Sequence, residues 1–145
     1  MSGSARGWHT LAPARFDEMW SLHPPTLGRN TFDGRSVQTP RYFQAFGRAY
    51  SFSGQTAAPL PLARVPLAAE PLTKIGALVT AAGAGTAQPA LPSPNGLLVN
   101  WYRAEHSIGL HRDDTRELVH GAPVWSLSWG HRRRFCLRPR VKNAR

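Results

Sequence analysis

The sequence predicts one α+β domain, helical toward its amino end and dominated by strands in its second half. Three observations carry this. The 145 residues are 41% apolar, enough for one core, since a chain of this size buries roughly two-thirds of its unfolded surface. Thirteen Pro and thirteen Gly, against 18% charged residues, disfavour a helix bundle, because both residue types interrupt regular elements. Apolar and β-branched runs with period-two alternation gather after Asn95, the pattern of half-buried strands.

Pro13 opens a segment in which Phe16, Met19, Trp20 and His23 follow the i, i+3, i+4, i+7 spacing of a helix packing one face inward. Residues 24–40, dense in Pro, Gly, Asn and Asp, read as a loop or hairpin. Short strands are expected at Tyr42 to Phe46 and Ala49 to Ser53. Pro59, Pro61 and Pro66 mark an extended connector, and Leu72, Ile75, Gly76 and Val79 have the spacing of an amphipathic helix. Residues 81–95, rich in Ala, Gly and Pro, read as a flexible connection. Gly96 to Tyr102 reads as a strand with Leu98, Asn100 and Tyr102 on one face and Leu97, Val99 and Trp101 on the other. Val124 to Trp129 and Arg134 to Arg138 read as two more strands, joined at Gly130-His131.

Composition limits the functional classes. No apolar run approaches the roughly 20 residues that span a bilayer, and no signal peptide opens the chain, so an intracellular protein without membrane contact is expected, cytoplasmic in a bacterium or nuclear in a eukaryote. The single Cys136 forms neither an internal disulfide nor a Cys-rich zinc site, and reads as a buried or bystander thiol. The net charge of +10 points to a polyanionic partner. Seven of the eighteen basic residues fall within residues 131–145, which hold no acid; such a run reads equally as a solvated tail.

The sharpest local feature is His111-Arg112-Asp113. An extended backbone puts residues two apart on one side, so an imidazole and a carboxylate can reach one cation. Non-heme Fe(II) oxygenases use two His and one carboxylate on one octahedral face, leaving positions for a 2-oxo acid and O2. The ordinary alternative is a surface turn with an ion pair.

The order of motifs goes further. Asn100-Trp101-Tyr102, Ile108 to Asp114, Ala122 to Gly130 and Arg134-Phe135 resemble the AlkB family of Fe(II)/2-oxoglutarate dioxygenases in order and spacing. Thr39-Pro40-Arg41, Phe46-Gly47 and Tyr50 to Gly54 are similar to the same family, particularly to its duplex-DNA-acting members. The resemblance covers residues 13–138. It implies a double-stranded β-helix, or jelly roll, with flanking amino-terminal helices. Within it, residues 1–94 would form the helix, substrate-recognition hairpin and connector, residues 95–138 the first part of the dioxygenase core, and residues 139–145 a basic tail outside the family pattern.

The resemblance implies that His111 and Asp113 ligate Fe(II), that Asn100 and Tyr102 bind 2-oxoglutarate, and that Tyr50, Phe52, Arg41, Phe32 and Asp114 serve the nucleic acid substrate. Tyr50 and Phe52 match aromatics that stack a flipped base, with two core aromatics as the alternative. Arg41 matches a position near the phosphate backbone, with an ordinary surface charge as the alternative. Phe32, at the tip of the Asn30 to Gly34 turn, resembles an apolar finger that enters a vacated base position, although core packing is the simpler expectation. The implied reaction is oxidative dealkylation of alkylated bases in DNA or RNA with Fe(II), 2-oxoglutarate and O2.

Two departures stand against the family pattern. Thirty-two residues follow Asp113, whereas the family places a second histidine ligand, and then 2-oxoglutarate-binding arginines, several dozen residues further on. The jelly roll is therefore expected to be incomplete at its carboxy end, and this form alone to be impaired. His120 and His131 fall in a loop and a turn, away from the missing ligand's place. Thr115 stands where duplex-acting members carry an acid. A non-catalytic nucleic-acid-binding remnant and a dioxygenase for a different substrate are the rival readings.

Overall fold

The computed structural model of the chain describes residues 13–52, 55–83, 93–120 and 122–138. Helix α1 spans Pro13–Ser21. Strands β1 (Arg29–Phe32) and β2 (Arg35–Gln38) form an antiparallel hairpin in which Phe32 faces Arg35. Asp33 and Gly34 take φ of 46° and 73° between them, as the two-residue hairpin turns that match strand twist require. Arg29 ties the hairpin together, its Nε donating to Ser36 Oγ at 2.8 Å.

Strand β3 (Tyr42–Phe46) lies between β7 (Leu97–Trp101) and the two-residue edge strand β6 (Pro59–Leu60). Its pairing with β7 is antiparallel, from Tyr42 opposite Trp101 to Phe46 opposite Leu97, and with β6 it is parallel. Proline is tolerated in β6 because an edge strand leaves one side of its backbone unpaired. Strands β4 (Tyr50–Phe52) and β5 (Gln55–Ala57) make a second antiparallel pair. Two 3-10 turns, Leu62–Arg64 and Pro66–Ala68, lead into helix α2, Ala69–Gly83.

The core is built where alternation and helical spacing place it. Met19, Tyr42, Phe46, Val65, Leu67, Ala68 and Trp101 are buried together, with Leu97, Val99, Trp20 and Trp129 packed around them. Leu97, Val99 and Trp101 form the inward face of β7, as period two requires. Trp101 Nε1 donates to the Met19 carbonyl at 2.8 Å, giving a buried indole the partner it needs and fastening α1 to β7. In α2, Ile75 and Val79 are buried on one face.

Several expectations change. The runs 124–129 and 134–138 are irregular rather than stranded. The described residues set no neighbouring strand beside them, so their alternation acquires no hydrogen-bond ladder. Val124, Trp125, Phe135 and Leu137 are exposed. The segment is held at Gly130 instead, whose φ is 91° and whose missing Cβ leaves room for the Phe16 ring. Among the described residues the sheets have two or three strands each, only β6-β3-β7 being mixed, and they form no closed barrel. Cys136 is exposed, not buried. Most of the connection at residues 81–95 and all of the tail at residues 139–145 lie outside the described residues. Among the described residues no helix is long and apolar enough to cross a membrane.

Candidate active site

Asn100 in β7 and Tyr102 just past its end fall, by alternation, on the side opposite Trp101. Both are half-buried, and Arg41, in the adjoining segment before β3, meets them there. Arg41 Nε donates to Asn100 Oδ1 at 2.9 Å, and its guanidinium lies 5.6 Å from the Phe43 ring centroid. Arg41 is only 8% exposed, which rules out the ordinary surface charge. Burial lowers its pKa, and the Tyr102 phenol acts in the opposite direction. The Tyr102 phenol is itself pushed up by burial, against the lowering influence of Arg41 and Arg133. Arg41, Asn100 and Tyr102 therefore form one polar wall.

The segment after β7 turns at residues 103–106 and runs to His111 and Asp113. His111 Nδ1 lies 2.7 Å from the Gly109 carbonyl. A carbonyl only accepts, so Nδ1 is the donor in this contact, which leaves Nε2 as the ring nitrogen available to coordinate. That Nε2 faces Asp113 Oδ1 at 3.5 Å. Two lone-pair donors so placed suit a shared cation, and the carbonyl on the far nitrogen is the outer partner that metal-bound histidines use. Both side chains are about half exposed, open to an entering ion. The donor set of one imidazole and one carboxylate fits Fe(II) as two of three protein ligands. Among the described residues no group of three His, Cys, Asp or Glu gathers, so neither His120 nor His131 completes the set there.

The aromatic pair sits beside this carboxylate. Tyr50 and Phe52 stack with centroids 5.5 Å apart, and Phe52 meets Phe43 edge-on at 5.1 Å. Tyr50 Oη donates to the Asp114 carbonyl at 2.9 Å. The Tyr50 phenol pKa is raised, first by burial and next by the charge of Asp113. Phe52 is buried and Tyr50 half-buried, so Phe52 packs inward while part of the Tyr50 ring stays open to solvent.

Asp114 does not offer a free carboxylate. Arg116 Nε donates to its Oδ1 at 2.9 Å, and these hydrogen bonds hold the Asp114 pKa down at about 2. With Ser51 and Glu117 these two residues line an open depression of about 240 Å3, where the Ser51 amide donates to Glu117 Oε2 at 3.2 Å. Phe32 is 71% exposed at the hairpin tip, so the core-packing expectation fails. It lies on the two-stranded β1–β2 sheet, which is separate from the sheet that carries Asn100.

Sequence reasoning brings together Asn100 with Tyr102, His111 with Asp113, and Tyr50 with Phe52. It misses the link from Arg41 to Asn100, the ion pair of Asp114 with Arg116, and the contacts of Arg133. Of these only Asp114–Arg116 left a local trace, opposite charges two residues apart.

The chain belongs to the 2OG-Fe(II) oxygenase superfamily, whose family model matches residues 8–145, and within it to the AlkB family. It is 35% identical over 117 residues to the DNA oxidative demethylase ALKBH2 of Homo sapiens, covering 77% of this chain and 40% of that protein. It is 36% identical over 116 residues to the DNA oxidative demethylase ALKBH2 of Bos taurus, covering 77% of this chain and 37% of that protein. The match thus spans about two-fifths of the relatives' length.

Proposed function

We propose that the chain serves the oxidative demethylation of alkylated bases in DNA, with His111 and Asp113 as Fe(II) ligands. The observation that carries this is the convergence of His111 Nε2 and Asp113 Oδ1 at 3.5 Å, with the far imidazole nitrogen already paired. The two relatives are DNA oxidative demethylases, which supports DNA as substrate; RNA presents the same methylated bases and is the second polymer to assay. A compartment that holds nucleic acid follows from that substrate, cytoplasmic in a bacterium or nuclear in a eukaryote.

The residues divide the work. Asn100 and Tyr102 bind 2-oxoglutarate from the outer face of β7, with Arg41 fixing the Asn100 amide. Tyr50, backed by Phe52, stacks the extruded base, since an enzyme acting on a base must hold it between flat faces. The backbone at Asp114 positions the Tyr50 hydroxyl. Phe32 and the β1–β2 hairpin approach the duplex, where an apolar side chain can fill the vacated position. Bound Fe(II) with 2-oxoglutarate would supply the O2 activation that oxidises the N-methyl carbon, which leaves as formaldehyde while the 2-oxo acid becomes succinate and CO2. In this reading residues 1–94 carry the helix, hairpin and connector, residues 95–138 begin a jelly-roll core, and residues 139–145 form a basic tail.

The test is formaldehyde release from an oligonucleotide containing 1-methyladenine, with Fe(II), 2-oxoglutarate and ascorbate. Release that disappears in His111→Ala supports the reading. Failure to release formaldehyde, together with retained oligonucleotide binding, would favour the non-catalytic binder, for which the two-donor metal set among the described residues speaks.

A further inference from the structure

Arg133 belongs to a run, Arg132 to Arg134, that charge alone assigns to a solvated or phosphate-binding stretch. Its guanidinium is engaged otherwise. Nη1 donates to the carbonyls of Arg103 and His106, each at 3.2 Å. Nη2 donates to the carbonyls of Arg103 at 3.0 Å and Ala104 at 2.7 Å. A guanidinium has four terminal N–H groups besides Nε–H, and here four contacts to main-chain oxygens take them up. The paired donors that grip a phosphate bidentately are already spent. The same guanidinium covers the Tyr102 ring, 5.7 Å from its centroid, within the range at which a π-face holds a cation.

The turn so gripped connects the two parts of the candidate site. It begins directly after Tyr102 and leads to His111 and Asp113. It is closed by His106 N donating to the Arg103 carbonyl at 3.1 Å and by Arg103 N donating to His106 Nδ1 at 3.2 Å. Ser107 N then reaches the Pro40 carbonyl at 3.2 Å. Three carbonyls of one tight turn facing the same way present clustered negative dipole ends, which a planar fork neutralises and a point charge does not.

We propose that Arg133 is a positioning residue of the 2-oxoglutarate pocket, clamping the turn between Tyr102 and the His111–Asp113 pair so that the two hold their relative places. The inference rests on the roles given above to Tyr102, His111 and Asp113. It separates Arg133 from Arg132 and Arg134, its neighbours in the basic run.

The test measures 2-oxoglutarate binding to the Mn(II)-loaded 145-residue chain by tryptophan fluorescence quenching, beside binding of a single-stranded oligonucleotide over a salt series. Arg133→Ala is expected to weaken 2-oxoglutarate binding about 10-fold or more, the scale of outer-partner losses at metal sites. Arg133→Lys, which keeps the charge, is expected to behave like Arg133→Ala rather than like the parent. Oligonucleotide affinity and its salt slope should stay unchanged in both. Amide hydrogen exchange should quicken at Arg103 to Ser107 while the β3–β7 ladder stays protected, which separates a loosened turn from an unfolded chain.

Full rescue by Lys, or a salt slope reduced by about 1 as for a lost phosphate contact, would overturn the proposal and return Arg133 to the charge run. If the parent binds 2-oxoglutarate and Arg133→Ala binds it equally, the role of Arg133 falls alone. A Mn(II)-loaded parent that binds no 2-oxoglutarate overturns the reading of the site itself, and the pocket role of Arg133 with it.

Discussion

The Nε of Arg41 donates to Oδ1 of Asn100 across 59 residues of sequence, at 2.9 Å, joining a side chain expected at a phosphate to one expected at the cosubstrate. The bond fixes which way the Asn100 amide presents its NH2 group, because Oδ1 is taken. Arg41→Ala should therefore act at both levels. It removes a hydrogen bond to a charged group worth about 1.5–3 kcal/mol, lowering the denaturation midpoint in urea, and it releases the Asn100 amide, weakening 2-oxoglutarate binding. Arg41→Lys should recover little, since an ammonium cannot reproduce the planar guanidinium beside the Phe43 ring. Equal 2-oxoglutarate affinity in all three proteins would disconnect Arg41 from the pocket.

His111→Ala and Asp113→Ala should abolish Mn(II) binding, since either leaves a single donor. Both positions are about half exposed, so stability should move within about 0.5 kcal/mol. Calorimetric titration with Mn(II) beside thermal melting checks the pair; a variant that melts normally and still binds metal would mislocate the site.

The Asp114 carboxyl pKa of about 2 is held down chiefly by the Arg116 hydrogen bonds. A depressed carboxyl contributes stability above its ordinary value of 3.8, and that contribution is lost as pH falls through about 2. In Arg116→Ala the carboxyl should titrate near its ordinary value, as followed by 13C NMR of the side chain. An unmoved titration would show that the ion pair is not the cause.

Phe32→Ala should cost less than about 0.5 kcal/mol, because a largely exposed side chain buries little. On the finger reading, activity on duplex oligonucleotides should drop while activity on single strands persists. Parallel formaldehyde assays on the two substrates decide it, and equal loss on both would remove the finger.

Trp101→Ala should destabilise the chain by about 3–5 kcal/mol, through the cavity it leaves and the lost bond to Met19. Trp101→Phe should cost less, keeping an aromatic ring and leaving the Met19 carbonyl only the longer bond from the Leu22 amide at 3.4 Å. Urea denaturation of the two variants measures the difference.

What the sequence by itself determined is what depends on neighbours in the chain. Period two set Asn100 and Tyr102 on one face and Leu97, Val99 and Trp101 on the other. Asp33-Gly34 allowed a loop or a hairpin turn, since both residues accept positive φ, and the pairing of β1 with β2 selected the hairpin. The two-residue spacing of His111 and Asp113 let their donors meet, although the backbone there is irregular. The tertiary structure decided everything that depends on which distant backbone arrives alongside. It buried Arg41 against Asn100, left Phe32 in solvent, and spent the Arg133 fork on the turn at residues 103–106. It also left the runs 124–129 and 134–138 unpaired despite their alternation. A strand is a relation between two segments, and side-chain pattern specifies only a segment's readiness to enter one. A guanidinium likewise carries the same charge wherever it lies, and only the oxygens that reach it settle whether it binds phosphate or braces a fold.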